Sequence, residues 1–497
     1  MARCIRVLAG LSALLLTAPG CTAAPPPRPG PSRGTPVRTT EAPPPRPAHA
    51  RGTRADFDGD GRADLVAGVP TMRLGLRRVG PDLVLFAGTG HGLAAPGRVI
   101  AGFRPKELLE PSARLIVMDD VVSADINGDG YADLAYVTAT QGPVTADRLM
   151  IMYGSRRGLR PGVEATFGSM PNDVAGMAAG DLDGDGRADL VFAQADTGSL
   201  PEPRTDLVIV RGGRHGLARQ SVTHVTNGLR GFGTALAVGD MTGDGVADLV
   251  ATNPAAWEEP TGPFPVSPTP RPPRKVQDAR ITVMPGTPHG PDRHRARYLT
   301  LRGGAMGVCR GPGPLWSDPR ACLAGLVLTD LTGDGRADLV AVARGEHGRA
   351  GGDLLLFRSR GDVLAPPERL AAAGGTDGYQ PPLAAGDGRT RLAAGRCGRD
   401  AQGYATRPRV TVFTGVGDRR DLDAAALGLT GRRAYTACVP GLALLDHDGD
   451  GRADLDAGSA PVDGRGRARI RTLPGAATAG SRTWTLGSGG FDPALPR

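Results

Sequence analysis

Carboxylate side chains recur at alternate positions in a ten-residue stretch that the chain repeats. In Asp181–Leu190, which reads DLDGDGRADL, aspartates stand at positions 1, 3, 5 and 9. Glycines at positions 4 and 6 give the backbone the freedom that a tight wrap requires. Oxygen donors at this spacing, without Cys or His, suit a hard divalent cation, Ca²⁺ ahead of Mg²⁺. The alternative is a solvated turn, but carboxylates so close together repel one another unless a cation gathers them, so the stretch predicts a calcium loop.

Six complete copies of this stretch predict about six calcium sites. They begin at residues 56, 125, 181, 240, 330 and 446, and a shortened copy without the later aspartates begins at Asp387. Each complete copy is expected to offer side-chain oxygens at positions 1, 3, 5 and 9 and the main-chain carbonyl at position 7. The predicted ligands are Asp56, Asp58, Asp60, Arg62, Asp64, Asp125, Asn127, Asp129, Tyr131, Asp133, Asp181, Asp183, Asp185, Arg187, Asp189, Asp240, Thr242, Asp244, Val246, Asp248, Asp330, Thr332, Asp334, Arg336, Asp338, Asp446, Asp448, Asp450, Arg452 and Asp454.

The elements that must position these loops are short strands. In the third repeat, apolar or alternating runs at 174–180, 190–193, 206–211 and 221–226 are separated by turn residues, which predicts four antiparallel strands, A to D. Starts near 56, 125, 181, 240, 330, 387 and 446 give a period of about 60 residues, typical of a propeller or a solenoid. We predict an all-β, seven-bladed β-propeller over residues 54–497, with an open solenoid as the alternative.

The repeat resembles a known family. The pattern D-x-D-G-D-G-x-A-D-L, followed by an apolar strand and a Gly-rich turn, resembles the FG-GAP repeat of integrin α-chain propellers and many secreted bacterial proteins. The Phe-Gly pair is present as Phe232-Gly233, and the Gly-Ala-Pro element is matched loosely by Ala67–Pro70. The resemblance covers roughly residues 54–490 and implies calcium ligands at positions 1, 3, 5, 7 and 9. The sixth repeat departs from it, because Arg391 falls near an expected Asp.

The amino-terminal end predicts export. An apolar run at Val7–Thr17 is too short for a permanent membrane span and fits a signal peptide, 1–21. It ends in Ala18–Cys21 (APGC), which resembles a bacterial lipobox, so Cys21 is the predicted lipid anchor and the only membrane attachment. Ordinary secretion with cleavage near Ala24 is the alternative. Residues 22–53, rich in Pro and Arg, predict a disordered tether.

Four further cysteines agree with an exported protein. Cys309 and Cys322 flank one Gly/Pro-rich loop, and Cys397 and Cys438 lie in consecutive repeats. Four cysteines allow three pairings, of which 309–322 with 397–438 needs the least rearrangement. A metal site is the alternative, but the chain has no C-x-x-C pair and no nearby His, which favours disulfides.

Other function classes find little support. The net charge is +8, but the arginines are scattered through loops and no nucleic-acid motif accompanies them, so we expect no nucleic-acid partner. No nucleophile elbow, zinc-protease motif or phosphate loop is present. His91, His215 and His289 share one place in three C–D turns, which turn consensus explains as well as a shared ligand does.

The loops opposite the predicted metal loops offer a candidate recognition patch. Residues 253–276 form an expanded B–C connection with Trp257 and Phe264, and Trp316 lies in the neighbouring D–A connection. A Pro-rich excursion without function is the alternative. We therefore predict a monomeric cell-surface lipoprotein that binds an unidentified extracellular protein or glycan. The second hypothesis is a propeller-based enzyme that acts on an extracellular polymer such as polysaccharide.

Overall fold

The structure of the chain is a computed structural model. It describes residues 14–15, 55–68, 72–74, 77–80, 82–102, 114–140, 148–165, 174–196, 204–217, 222–225, 235–253, 256–258, 274–277, 280–301, 323–343, 352–374, 377–386, 391–399, 405–428, 439, 441–459 and 469–485.

The described residues are almost entirely β-structure, joined by turns and two short 3₁₀ segments at Arg293–Arg295 and Pro474–Ala476. Nothing in this part of the chain forms a helix of the length and apolar character that would span a membrane. The strands, in chain order, are β1 Leu14–Leu15, β2 Leu65–Gly68, β3 Met72–Leu74, β4 Arg77–Gly80, β5 Asp82–Phe86, β6 Arg98–Gly102, β7 Arg114–Ala124, β8 Asp133–Thr140, β9 Arg148–Met152, β10 Val163–Glu164, β11 Val174–Gly180, β12 Asp189–Asp196, β13 Arg204–Val210, β14 Val222–Val225, β15 Leu236–Gly239, β16 Asp248–Asn253, β17 Ala256–Glu258, β18 Arg274–Gln277, β19 Arg280–Met284, β20 Arg297–Thr300, β21 Leu323–Thr329, β22 Asp338–Ala343, β23 Leu354–Phe357, β24 Glu368–Ala371, β25 Gly378–Ala385, β26 Leu392–Arg399, β27 Ala405–Phe413, β28 Arg419–Leu422, β29 Leu442–Leu445, β30 Asp454–Ser459, β31 Arg469–Leu473 and β32 Arg482–Thr485.

Seven antiparallel four-stranded units form the blades. Blade 3 is typical: β11, β12, β13 and β14 are neighbours in the sheet in chain order. The same order holds for β7–β10 in blade 2 and for β21–β24, β25–β28 and β29–β32 in blades 5 to 7. Blade 4 uses β15, β16, β19 and β20. The predicted all-β, seven-bladed propeller with four-stranded antiparallel blades is therefore confirmed.

Blade 1 takes its innermost strand from an unexpected part of the chain. Its sheet has the order β1-β2-β5-β6, and β1 pairs antiparallel with β2 through Leu14 and Gly68. Leu14–Leu15 lies inside the apolar run predicted as a signal peptide, so cleavage before Cys21 would remove this strand from the mature protein. The predicted tether, residues 22–53, lies outside the described residues.

Two B–C connections carry additional hairpins. In blade 1 the connection contains β3 and β4, and β4 pairs with the inner strand β7 of blade 2 through Val79 and Val117. In blade 4 the connection contains the two-stranded sheet β17–β18. Since A–B and C–D turns share one end of an antiparallel meander, both hairpins belong to the opposite end. We call the A–B end the lower face and the other end the upper face.

The hydrophobic core is divided among the seven junctions between blades. Each of seven buried clusters joins residues of two adjacent blades. The cluster that joins blade 7 to blade 1 packs Leu65 and Phe86 against Ala443 and Ile470, with Trp484 beside them. The ring is therefore closed, which excludes the open solenoid and leaves few exposed strand edges.

Candidate metal centres

Each complete copy of the predicted metal loop wraps its backbone around the first aspartate. In loop 3, which joins β11 to β12, Oδ1 of Asp181 accepts hydrogen bonds from the amides of Gly184 at 2.7 Å and Asp185 at 3.1 Å. Its Oδ2 accepts from the amide of Gly186 at 2.9 Å. Gly184 and Gly186 have φ values of 75° and 84°, a region that residues with a Cβ rarely adopt. The two glycines predicted to permit the wrap therefore do so.

The same wrap is present in all six complete loops. In each loop, the carboxylate at position 1 accepts from the amides of the glycines at positions 4 and 6. The accepting aspartates are Asp56, Asp125, Asp181, Asp240, Asp330 and Asp446.

In three of the loops, aspartate oxygens converge closely enough to share one ion. Within each group, one oxygen from each of three aspartates lies within 4.8 Å of the other two. All donors are oxygens, which is the set that a hard divalent cation prefers. The groups are Asp56, Asp58 and Asp64 in loop 1, Asp181, Asp183 and Asp185 in loop 3, and Asp446, Asp448 and Asp450 in loop 7.

The other three complete loops have a neutral oxygen donor at position 3. Asn127 in loop 2 donates to Asp129 Oδ2 at 3.0 Å, and Thr242 in loop 4 lies 3.4 Å from Asp240 Oδ1. The side chain of Thr332 in loop 5 hydrogen-bonds Asp338, the position 9 aspartate of the same loop. Each of these neutral side chains therefore lies beside a carboxylate of its own loop.

The aspartate at position 9 connects the loop to the C–D turn of the same blade. In blade 3, Oδ2 of Asp189 accepts from the Leu182 amide at 3.2 Å, and Oδ1 accepts from the Gly212 amide at 2.9 Å. In blade 1, Oδ1 of Asp64 accepts the equivalent hydrogen bond from the Gly88 amide at 2.8 Å. This residue therefore has a structural role that the ligand prediction did not include.

Burial strongly affects the acidity of these position 9 aspartates. Loss of solvation is the largest cause, and it raises their pKa although backbone amides act in the opposite direction. Without a cation to compensate its charge, a carboxylate in this setting is partly protonated near neutral pH. The pKa rises to about 7 for Asp64, Asp133, Asp189 and Asp454 and to about 6 for Asp248.

Neighbouring loops are locked to one another by backbone hydrogen bonds. The alanine amide at position 8 donates at 2.8 Å to the carbonyl oxygen of the first aspartate in the preceding loop. This bond occurs at five junctions, as Ala63 to Asp446, Ala132 to Asp56, Ala188 to Asp125, Ala247 to Asp181 and Ala337 to Asp240.

The side chain at position 7 covers the position 4 glycine of the preceding loop. A Cβ on Gly59 would lie 2.6 Å from Cε1 of Tyr131, and one on Gly128 would lie 2.9 Å from Cγ of Arg187. Val246 covers Gly184 in the same way. The sequence assigned position 7 only a carbonyl ligand, so its packing role was missed, and the carbonyl ligation stays a prediction.

Position 2 of each complete loop points into a blade junction. Phe57, Ile126, Leu182, Met241 and Leu331 are apolar and almost fully buried. Loop 7 has His447 there, also fully buried. Burial acts to lower the pKa of His447, but the neighbouring Asp456 carboxylate outweighs it and raises this pKa to about 9. The sequence analysis did not predict this contact.

The three histidines that share a place in the C–D turns do not form a site. His91, His215 and His289 are exposed and lie on blades 1, 3 and 4. The amides of His91 and His289 donate to the threonine hydroxyls two residues earlier, at 3.3 and 3.2 Å. This geometry favours turn consensus over a shared ligand.

Of the three aromatic residues predicted to form a recognition patch, one lies within the described residues. Trp257 lies on β17, whereas Phe264 and Trp316 lie outside the described residues.

One of the five cysteines with a predicted role lies within the described residues. Cys397 is fully buried on β26. Cys21, Cys309, Cys322 and Cys438 lie outside the described residues, so the lipid anchor and both disulfide pairings stay predictions.

Comparison with known families matches two segments of the propeller. Residues 125–192, from loop 2 to β12, match the family described as FG-GAP-like repeat. Residues 232–256, around loop 4, match the family described as FG-GAP repeat. The protein is a β-propeller that contains FG-GAP repeats. The resemblance found in the sequence is thus confirmed for this FG-GAP propeller, while its assignment to a lipoprotein type stays a prediction.

Solved structures resemble this FG-GAP propeller distantly. The exotype rhamnogalacturonan lyase YesX is 14% identical, with a TM-score of 0.44, covering 86% of this chain and 71% of that one. A mutant of AofleA from Arthrobotrys oligospora is 10% identical, with a TM-score of 0.37 and coverage of 81% and 94%. A Synechocystis apocarotenoid oxygenase mutant is also 10% identical, with a TM-score of 0.35 and coverage of 84% and 90%. No curated protein sequence matches the chain significantly.

Proposed function

We propose that this FG-GAP propeller binds calcium in its lower-face loops and acts as an exported binding or adhesion module at the cell surface. The observation that carries the proposal is the convergence of three aspartates within 4.8 Å in loops 1, 3 and 7. Uncompensated, such carboxylates repel one another. A divalent cation would neutralise them and hold the loop in its observed wrap.

Calcium in this role is structural. The loops would supply carboxylate, hydroxyl and carbonyl oxygens to the ion, and the ion would add a charge that stabilises the folded form. The blade's own residues hold the loop: the position 1 aspartate fixes the turn, and the position 9 aspartate fixes the loop to the C–D turn. Bound ions would therefore stiffen the face that carries them.

Ligand recognition is assigned to the upper face. The hairpins β3–β4 and β17–β18 enlarge that end of blades 1 and 4, and connecting loops on a rigid scaffold are frequent recognition elements. The proposed partner is an extracellular protein or glycan, and the proposed location is the outer surface, through a lipid on Cys21.

Three measurements test the proposal. Isothermal titration of the chelator-treated full-length protein with Ca²⁺ should give a stoichiometry near six, and excess Ca²⁺ should raise the melting temperature. A stoichiometry near zero with no thermal effect would refute calcium binding. Pull-down from envelope extracts and glycan arrays should identify a ligand; turnover of a polysaccharide by the protein would instead identify an enzyme.

A further inference from the structure

Blade 6 lacks a complete metal loop, yet its junction with blade 5 is closed by another residue. At five other junctions, an alanine amide donates to the carbonyl oxygen of the preceding first aspartate. At this junction, the Nη1 group of Arg391 donates to the carbonyl oxygen of Asp330. The hydroxyl of Thr329 donates back to the carbonyl oxygen of Arg391 at 3.0 Å. Among the described residues, a side chain thus takes the place that the alanine amide holds at the other junctions.

The same guanidinium also reaches the carboxylate of loop 5. Nη1 of Arg391 lies 3.3 Å from Oδ1 of Asp330, and both side chains are largely buried, with 28% and 20% exposure. A Cβ on Gly333 would lie 3.5 Å from that nitrogen. Arg391 therefore occupies the place over loop 5 that position 7 residues, including Arg187 and Arg336, occupy over other loops, and its guanidinium also lies beside the first aspartate.

Other arginines near the loops contact different carboxylates. Arg62 pairs with Asp60 at 2.8 Å, and Arg187 pairs with Asp185 at 2.7 Å, each with the outer oxygen of position 5 in its own loop. Asp60 and Asp185 are exposed enough for water to screen those contacts. A third arginine, Arg211, lies 3.2 Å from Oδ2 of Asp183, a largely buried aspartate at position 3 of loop 3. The contact of Arg391 lies at position 1, around which the whole loop is wrapped.

Loop 4 is the natural comparison for loop 5. Both read D-x-T-G-D-G-x-A-D, so their predicted side-chain ligands are identical. Over loop 4, the neutral amide of Ala337 holds the carbonyl of Asp240, and Arg336 covers Gly243, with its Nε 3.3 Å from a Cβ placed there. Ligand chemistry alone would therefore give the two loops equal calcium affinity, and any difference must come from their surroundings.

We infer that Arg391 acts as a built-in cation at loop 5, closing the junction between blades 5 and 6 while weakening calcium binding there. The inference rests on the proposed calcium function. A divalent ion at loop 5 must approach a carboxylate whose charge the guanidinium already offsets, and affinity follows the net charge of the ligands. Loop 5 then binds calcium more weakly than loop 4, although their ligands match.

The test combines calcium titration with melting curves in chelator. Competitive chelator titration of wild type and Arg391→Gln should show that the substitution tightens one weak site by about tenfold or more. Adding Asp334→Asn to that variant should abolish the gain and so assign it to loop 5. Arg391→Lys, which keeps the charge, should stay near wild type. Arg148→Gln, which removes an arginine from an exposed pair with Glu164, should change no site.

The junction role has its own readout, which requires no metal. In chelator, Arg391→Gln should melt at a lower temperature than wild type and Arg148→Gln, and its melting temperature should rise more on calcium addition. Unchanged site affinities in Arg391→Gln, while the other loops bind, would overturn the cation role. An unchanged melting temperature in chelator would overturn the junction role. Absence of calcium binding in every protein would refute the proposed function and the cation role, but not the junction role.

Discussion

Nε2 of His447 lies 2.6 Å from Oδ2 of Asp456, and both side chains are fully buried. Nδ1 of the same imidazole lies 2.6 Å from the carbonyl oxygen of Ala63, so the pair extends from blade 7 into blade 1. The Thr472 hydroxyl donates to Asp456 Oδ1 at 2.6 Å, and the Trp484 indole donates to that hydroxyl at 3.0 Å. A polar network therefore closes the ring where other complete loops place an apolar side chain.

Breaking this pair should destabilise the fold, and removing both partners should largely restore it. His447→Leu leaves a buried carboxylate unpaired, which we expect to lower the free energy of unfolding by about 3–5 kcal/mol. His447→Leu with Asp456→Val makes the two positions apolar, as in the other complete loops, and should recover most of that loss. Denaturant unfolding in a double-mutant cycle measures both effects. Equal stability of the single and wild-type proteins would contradict this account.

Calcium binding should depend on the complete loops and not on the shortened copy. Asp185→Asn removes one carboxylate from the loop 3 group and should reduce both the calcium stoichiometry and the calcium-dependent rise in melting temperature. Asp387→Asn, in the shortened copy, is the matched control and should leave both unchanged. Loops 1, 3 and 7 should lose calcium last under chelation. Equal effects of the two substitutions would show that the loops are simple turns.

A rise in pH should lower the stability of the metal-free protein but strengthen calcium binding. Burial raises the pKa of Asp64, Asp133, Asp189 and Asp454 to about 7, above the ordinary value of 3.8. These groups therefore contribute stability that is complete below about pH 4 and is lost as the pH rises through about 7. The melting temperature in chelator should fall over that interval.

Calcium reverses this trend because it binds the ionised carboxylates. Affinity should increase from pH 5 to pH 8, and binding near pH 6 should release protons, which titration in buffers of different ionisation enthalpy detects. A calcium affinity independent of pH would contradict the assigned role of these buried aspartates.

Anchoring should depend on a single cysteine. Cys21→Ala removes the atom that would carry the lipid, so the protein should pass from the membrane fraction into the medium. Fractionation followed by immunoblotting measures the change, with Cys4→Ala as the matched control because that residue lies within the predicted leader. Retention of Cys21→Ala in the membrane would rule out the lipid anchor.

The remaining four cysteines should form two disulfides. Peptide mapping of the oxidised protein by mass spectrometry should show 309–322 and 397–438. Closing the shorter loop should stabilise the fold by roughly 3 kcal/mol in the chain-entropy model. Reduction should therefore lower the melting temperature. Four alkylatable thiols in the native, oxidised protein would contradict both pairings.

Most of the architecture was predictable because it repeats locally. The loop spacing and the apolar runs of Val174–Gly180 and its partners predicted the blades and their strand order. Contacts between residues far apart in sequence were not predictable, whether they lie within one blade or between two blades. Leu14–Leu15 as the inner strand of blade 1 and the pairing of β4 with β7 are of this kind. In the sequence, Arg391 only marks the place of an expected aspartate ligand. Its role at the junction follows from its position beside Asp330 in the structure.

The contacts made by position 7 have a practical consequence for protein engineering. The backbone amide of Tyr131 donates to Asp129 in its own loop. The ring of Tyr131 packs against Gly59 in the preceding loop. A single blade is therefore not an interchangeable module. A transplanted blade would function only with a compatible predecessor, so grafting experiments and chimaeras should exchange blades in consecutive pairs.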